Sequence, residues 1–411
     1  MVFIEVVNYL LVFVMGSFVS YYLLISVLAL QANKNFSTES AKIRKFAVIL
    51  FTQDKEHILS RALYSLSGLV YPKNKYDLIV IADSYSDNIV QVSEKMGAKI
   101  MVLPIDKRAE NKNVILPWVF DSILQESETY DAVVVFDSEG LVSGNYLKVM
   151  NDYMDQGSKV IQCSYKNMSS SESWIDKIYD VNFLLNRFVY PMGRKVLGLG
   201  TTLCSSGVCF STDILREFPW QIDQYPSVLE YGFDLQLKGI EIDFASSALV
   251  FTKITPSSSE VNNYPNTPSA SSYHLIKKYV PQLLSTKANI KSIIRIGILL
   301  ELVSPKLANL ILLIVAMGLI NTVLWWVGWV SVSALLIWLV VGAVAILSIP
   351  VALMVTDAPQ KFLKSLMYLP ITVYTMLQDS IQKYQKEDPS IIELKKKDNG
   401  LRVSDESKPV Q

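Results

Sequence analysis

The chain has 411 residues, 51% of them hydrophobic and only 18% charged, with 38 basic side chains against 38 acidic ones. That composition is too apolar for an ordinary soluble enzyme, in which about 25% of residues are charged, so part of the chain belongs in a membrane. Zero formal charge, with no basic stripe, excludes nucleic acid as the main partner.

The first predicted element is a membrane span over 5–31. No charged residue lies between Val6 and Leu30, and about 20 apolar residues suffice to cross a bilayer as a helix. A cleaved signal peptide is the competing reading, but the run is too long and lacks both a basic leader and a small-residue cleavage site. Lys34, Lys42, Arg44 and Lys45 follow the span and nothing basic precedes it. The bias in Lys and Arg therefore puts the N-terminus outside and the large middle region in the cytoplasm.

From 45 to 285, strand and helix signals alternate, which predicts one cytoplasmic α/β domain. KFAVILF (45–51), YDLIVIAD (76–83), AKIMVL (98–103) and YDAVVVFD (130–137) are β-branched runs, and after the first pair one amphipathic helical stretch separates each from the next. Strands alternating with helices give a mostly parallel sheet with helices on both faces. Open sheets of that kind bind ligands beyond the carboxyl ends of their strands. Asp83 and Asp137 each end a strand, so both carboxylates are expected on one rim.

The stretch DAVVVFDSEG carries Asp137 and Glu139 with one residue between them, beside Gly140. Two such acids can hold a Mg or Mn ion, which prefers carboxylate oxygens and neutralises a diphosphate. Taken alone, the triplet reads more simply as an acidic strand end facing water. In WIDKIYDVNFLLNRFVYPMG (174–193) the apolar positions follow helical spacing, so Trp174 opens a packed helix rather than a sugar-stacking platform. Cys163, Cys204 and Cys209 have no C-x-x-C spacing and the histidines are His57 and His274 alone, so no zinc site is expected and the cysteines read as core or turn residues.

Beyond the domain, 290–303 reads as an interfacial helix. An uncharged run over 307–356, broken near WWVGW, is long enough for a hairpin of two spans with aromatic residues at the interface. The amphipathic stretch 362–382 reads as a second interfacial helix, because a fourth crossing would export the basic LKKKD tail within 383–411.

Six segments, VILFTQDKEHILSRALYSL, YPKNKYDLIVIADSYSDN, YDAVVVFDSEGLV, KNMSSSESWIDKIYDVNFLLNRFVYPMGRKVLGLG, SSGVCFS and LQLKGIEIDFASSALVFTK, occur in this order. Together they look like the successive blocks of the membrane-bound family 2 glycosyltransferases, the group containing cellulose, hyaluronan and chitin-type synthases. The resemblance implies a GT-A fold with transmembrane helices in the inner (plasma) membrane, multi-pass, and a cytoplasmic catalytic domain. It implies inverting transfer from a nucleotide sugar, a UDP-sugar first, to a saccharide or lipid-linked acceptor such as a surface polysaccharide or glycolipid, with a divalent cation, Mg or Mn. Residue by residue, it puts Thr52 and Gln53 around the base, Asp83 on base and ribose, and Lys112 on the diphosphate. Asp137 becomes the first acid of the metal triplet, with Glu139 in place of its last aspartate, and Glu230 becomes the general base.

The departures from the family pattern are specific. PSVLEYGFDLQL has Leu229 where the T-E-D block has its glutamate and Glu230 where it has its aspartate, with Asp234 one turn later as a reserve base. An extra methylene moves a carboxylate by about an ångström, which can cost roughly 100-fold in rate. RAENKN keeps Lys112 without the family's glycines, no Q-x-x-R-W follows LVFTK, and Ser205-Ser206-Gly207 replaces the glycine-rich turn at the acceptor. Two functions therefore stay in view. One is an active, divergent transferase; the other is a catalytically quiet subunit that dimerises with or scaffolds an active synthase. A second glycosyltransferase or a homo-oligomer partner is expected, since three spans alone would not make a translocation channel.

Overall fold

The computed structural model describes residues 2–32, 42–52, 56–82, 87–107, 112–125, 130–168, 174–221, 227–252, 270–285 and 291–356. The uncharged first run forms helix α1 (Val2–Gln31). Each of the four β-branched runs is a strand: β1 (Phe46–Phe51), β2 (Tyr76–Ala82), β3 (Lys99–Val102) and β4 (Ala132–Asp137). Strand side chains alternate in direction, and here both directions are buried. Phe46, Val48 and Leu50 enter one core with Leu59, Leu63 and Leu66 of α2 (Glu56–Ser67) and with α5 (Tyr146–Asp155). Ala47 and Ile49 enter the other, with α4 (Lys112–Gln125), α8 (Thr212–Glu217) and α9 (Val228–Leu237). Helices thus cover both faces, as the alternation predicts, and a helix also joins the first pair of strands.

Four further strands, β5 (Leu141–Val142), β6 (Val160–Asn167), β7 (Val208–Ser211) and β8 (Ile242–Thr252), extend the sheet to eight, in the order β3-β2-β1-β4-β7-β6-β8-β5. β1 runs parallel to β2 and β4, and β6 parallel to β8, while β7 is antiparallel between β4 and β6 and β5 is antiparallel on β8. Phe51 stands opposite both Ile81 and Asp137. The carboxyl ends of β1, β2 and β4 therefore meet on one rim.

The predicted helix over 174–193 is α6 (Trp174–Leu184), a π-helical stretch (Leu185–Val189) and α7 (Tyr190–Val196). α7 lies against α1 so closely that a Cβ on Gly193 would come 1.9 Å from the Ile25 carbonyl oxygen. Below them stand α12 (Leu307–Trp326) and α13 (Val332–Leu353). Three helices, Phe3–Gln31, Leu307–Trp326 and Val332–Leu353, are long and apolar enough to cross a membrane. Asn8 joins them: its amide donates to Asn321 Oδ1 at 2.8 Å and its Oδ1 accepts from Trp338 Nε1 at 2.8 Å. Asn321 also donates to the Met317 carbonyl at 2.8 Å, and amide bonds of this kind tie helices together where water is absent.

Helix α10 (Ala270–Leu284) and α11 (Ser292–Val303) pack beside α9 through Phe233, Leu275, Tyr279, Leu283, Ile294 and Ile298. Ile293, Ile296 and Val303 of α11 stay exposed. The expected helix at 362–382 and the tail at 383–411 lie outside the described residues.

Candidate functional site

β4 ends in Asp137, and the chain turns at once: Gly140 N donates to the Asp137 carbonyl at 3.1 Å, and Ser138 N to the Phe51 carbonyl at 3.0 Å. A Cβ on Gly140 would come 2.9 Å from Val250 Cγ1, so a larger residue there makes the Val250 side chain shift. The side chain of Asp137 is part-exposed, Ser138 is buried and Glu139 is exposed.

Lys112, the first residue of α4, reaches across to this turn. Its ammonium donates to Asp137 Oδ1 at 2.5 Å and to the Ser205 carbonyl at 2.6 Å, and it stands 4.9 Å from the Phe51 ring centre. A carboxylate, a carbonyl and an aromatic face make a seat for a cation. The seat is held rigidly from behind. Asp137 N donates to Ser206 Oγ at 3.1 Å, and the Gln162 amide donates to the Ser206 and Gly207 carbonyls, both at 3.2 Å, while accepting from Cys204 N at 2.7 Å. Tyr165 OH donates to the same Ser206 carbonyl. Gly207 has φ +60°, and a Cβ on it would lie 2.1 Å from Cys163 Sγ, so the turn accepts no larger residue without shifting.

Thr52 lies on the same rim, its N–H on the Ile81 carbonyl at 3.2 Å. It is buried, and its hydroxyl has no hydrogen-bond partner among the described residues. A buried hydroxyl without a partner costs free energy. Gln53 and Asp83 lie outside the described residues.

The carboxylates that would hold a divalent cation at this rim are those of Asp137 and Glu139. The Lys112 ammonium already stands on Asp137 as a tethered stand-in for one, and Glu139 follows on the exposed turn. Among the described residues no group of three or more His, Cys, Asp or Glu side chains could hold a metal. The cysteines carry no disulfide; burial pushes the thiols of Cys163 and Cys209 well up, as befits core residues.

Glu230 lies on a different helix from Lys112. It occupies the first turn of α9, where its N–H donates to the Ser227 side chain at 3.2 Å. Only 5% of it is exposed, and its carboxylate accepts from Lys278 of α10 at 2.7 Å, while Tyr279 OH donates to its carbonyl at 3.2 Å. Asp234 is paired with Lys238 at 2.9 Å. The structure thus joins Lys112 to Asp137, sets Thr52 on their rim, and engages Glu230 with a lysine of α10. Gln162, which shapes the seat, was not singled out by the sequence, and Ser206 was noted there only as part of the Ser205-Ser206-Gly207 turn; the one signal for Gln162 is a polar residue following the apolar start, Val160-Ile161, of β6.

The mannosyltransferase PcManGT from Pyrobaculum calidifontis, solved in complex with GDP-Man and Mn2+, has a similar fold, with TM-score 0.52 and 11% identity over 91% of this chain and 99% of that one. S. aureus TarS 1-349, solved in complex with UDP-GlcNAc, matches at TM-score 0.45 and 15% identity over 82% of this chain and 92% of that one. No curated protein matches the sequence significantly. The family described as glycosyltransferase like family 2 matches residues 44–264, more than half of the chain. With the eight-stranded, mostly parallel sheet covered on both faces, this match makes the chain a member of that glycosyltransferase family.

Proposed function

We propose that the protein transfers a sugar from a nucleotide sugar, a UDP-sugar first, to a saccharide or lipid-linked acceptor at the membrane, with inversion. The observation that carries the reading is the Lys112 ammonium seated on Asp137 at the rim where β1, β2 and β4 end. A known structure with a similar fold was solved in complex with GDP-Man and Mn2+, which supports a donor of the same class here. In this reading Thr52 and Gln53 border the base, Asp83 takes the ribose, and Lys112 with the N-terminus of α4 faces the diphosphate. Asp137 and Glu139 would hold a Mg or Mn ion, which when bound neutralises the leaving diphosphate. Glu230 accepts the acceptor's proton once Lys278 has moved away from its carboxylate. The domain faces the cytoplasm from the inner (plasma) membrane, following the Lys and Arg bias beside α1.

A second reading is favoured by one observation, the burial of Glu230 against Lys278. In it the fold is retained as a catalytically quiet subunit that pairs with an active glycosyltransferase or with its own copy.

Calorimetric titration of the detergent-purified protein with UDP, GDP and their sugars tests the donor site. Asp137→Ala is expected to lower nucleotide affinity at least tenfold and Asp131→Asn, at the opposite end of β4, to leave it unchanged. Equal affinity in folded Asp137→Ala protein sinks the assignment. Glu230→Gln is expected to keep donor binding and cut turnover roughly 100-fold or more. A quiet subunit would instead show no transfer in either form and would bring a second synthase through purification.

A further inference from the structure

The cation seat on Asp137 is filled by a group that the chain itself supplies. Lys112 is anchored at the start of α4 but carries a flexible four-carbon stem, so its ammonium can leave the seat without moving the helix. Its side chain is largely buried at 17% exposure, while the Asp137 carboxylate keeps 37%. A metal ion landing on that exposed side would share one carboxylate with an ammonium, and like charges at such range repel strongly where water is partly excluded. A diphosphate carries more negative charge than one carboxylate, and would approach the same helix N-terminus. It therefore competes for the ammonium and gives the carboxylate back.

We propose that Lys112 is a built-in gate on Asp137: its ammonium keeps the carboxylate from binding a divalent cation until a nucleoside diphosphate draws it off, so that cation and nucleotide load together. This rests on the donor-site reading above and adds an order of binding to it. The gate depends on charge, so an arginine should close the seat and a neutral side chain should open it.

The test is Mn2+ binding to the full-length protein in detergent, read as loss of the free Mn2+ signal by electron paramagnetic resonance, with no turnover required. Mn2+ alone is expected to bind Lys112→Gln at least tenfold more tightly than wild type, and Lys112→Arg no more tightly than wild type. UDP or GDP should raise the wild-type Mn2+ affinity at least tenfold and that of Lys112→Gln by less. The site gained in Lys112→Gln should vanish in the Lys112→Gln, Asp137→Asn double variant. Lys112→Met repeats the comparison with an apolar stem. Equal Mn2+ affinity in wild type and Lys112→Gln, including no binding by either, overturns the gate, as does a gain that survives Asp137→Asn and is an adventitious ion only. Unfolding of both neutral variants would make Lys112 structural and overturn it too. If no form binds UDP, GDP or their sugars, the donor reading fails and the nucleotide-driven release with it, while the comparison with Mn2+ alone still decides whether Lys112 blocks Asp137.

Discussion

Asp131 and Asp137 bracket β4, and the end of the strand decides what each does. At the amino-terminal rim Asp131 accepts from Lys42 Nζ at 2.7 Å and from Lys45 N at 2.8 Å, and Asp77 accepts from Tyr130 OH at 2.9 Å with Lys45 Nζ at 3.3 Å. Burial pushes both carboxyls up, but for Asp131 the bonds from Lys42 and Lys45, and for Asp77 the Tyr130 bond and the Lys99 charge, outweigh it and hold both below the usual range. The folded state therefore binds fewer protons than the unfolded one as these groups titrate. Their contribution to stability is complete above the ordinary value of about 3.9 and is lost as pH falls through their lower folded values. Asp131→Asn is expected to lower the melting temperature at pH 7 and to leave a shallower loss on acidification below about pH 4; parallel acid profiles would refute this. Asp137 could be singled out in the sequence as a strand-end acid, and Lys112 through the resemblance to the family's basic block; the structure brings the two together. Gln162 could not be singled out, and Ser206 was noted only within the 205–207 turn, since what they do together arises only when β6 and that turn meet.

β1, β2 and β4 could be read from the sequence because burial on both faces leaves unbroken apolar runs, and β3, exposed at Lys99 and half-buried beyond it, because its short run is apolar. β6 and β8 could not: Gln162 and Ser164 interrupt one and Ser246 and Ser247 the other, and their pairing shifts register between Cys163 and Ser164, which defeats a search for period two. The run at 174–193 was legible as helix but not as three pieces, because a π-helical stretch leaves no mark in apolar spacing. The α1 and α7 pairing makes its own prediction. Any Cβ at Gly193 meets the Ile25 carbonyl, whereas nothing lies within 4 Å of one at Gly318 in α12. Gly193→Leu should therefore destabilise the protein by about 1–3 kcal/mol or more through overpacking, seen as a lower melting temperature in detergent. Gly318→Ala should be neutral or slightly stabilising. Equal melting temperatures for the two variants would contradict the packing.

At the scale of the whole molecule, composition alone pointed to a membrane, and the three apolar helices agree with it. Their side of the bilayer follows from charge. If the sheet domain faces the cytoplasm, a cysteine placed at Tyr64, which is 73% exposed on α2, should react with a membrane-impermeant maleimide only after cells are opened. Labelling in intact cells would invert the topology and move the donor site to the other face. How Glu230 relates to the rim could not be read from the sequence, because its surroundings depend on α10, which lies beyond a Ser, Pro and Asn-rich stretch with no periodic signal.

The amide node between the membrane helices also sets a timetable for synthesis. Asn8 and Asn321 are 313 positions apart and Asn8 and Trp338 are 330 apart, so at about 5–20 residues per second α1 precedes its partners by roughly 15–60 s. During that interval an inserted α1 holds a polar amide in hydrocarbon with none of its final partners made, while the whole sheet domain emerges and folds. An exposed amide in lipid costs several kcal/mol. In a membrane, the Asn8 amide would therefore wait for its partners until the ribosome had delivered the 307–353 hairpin.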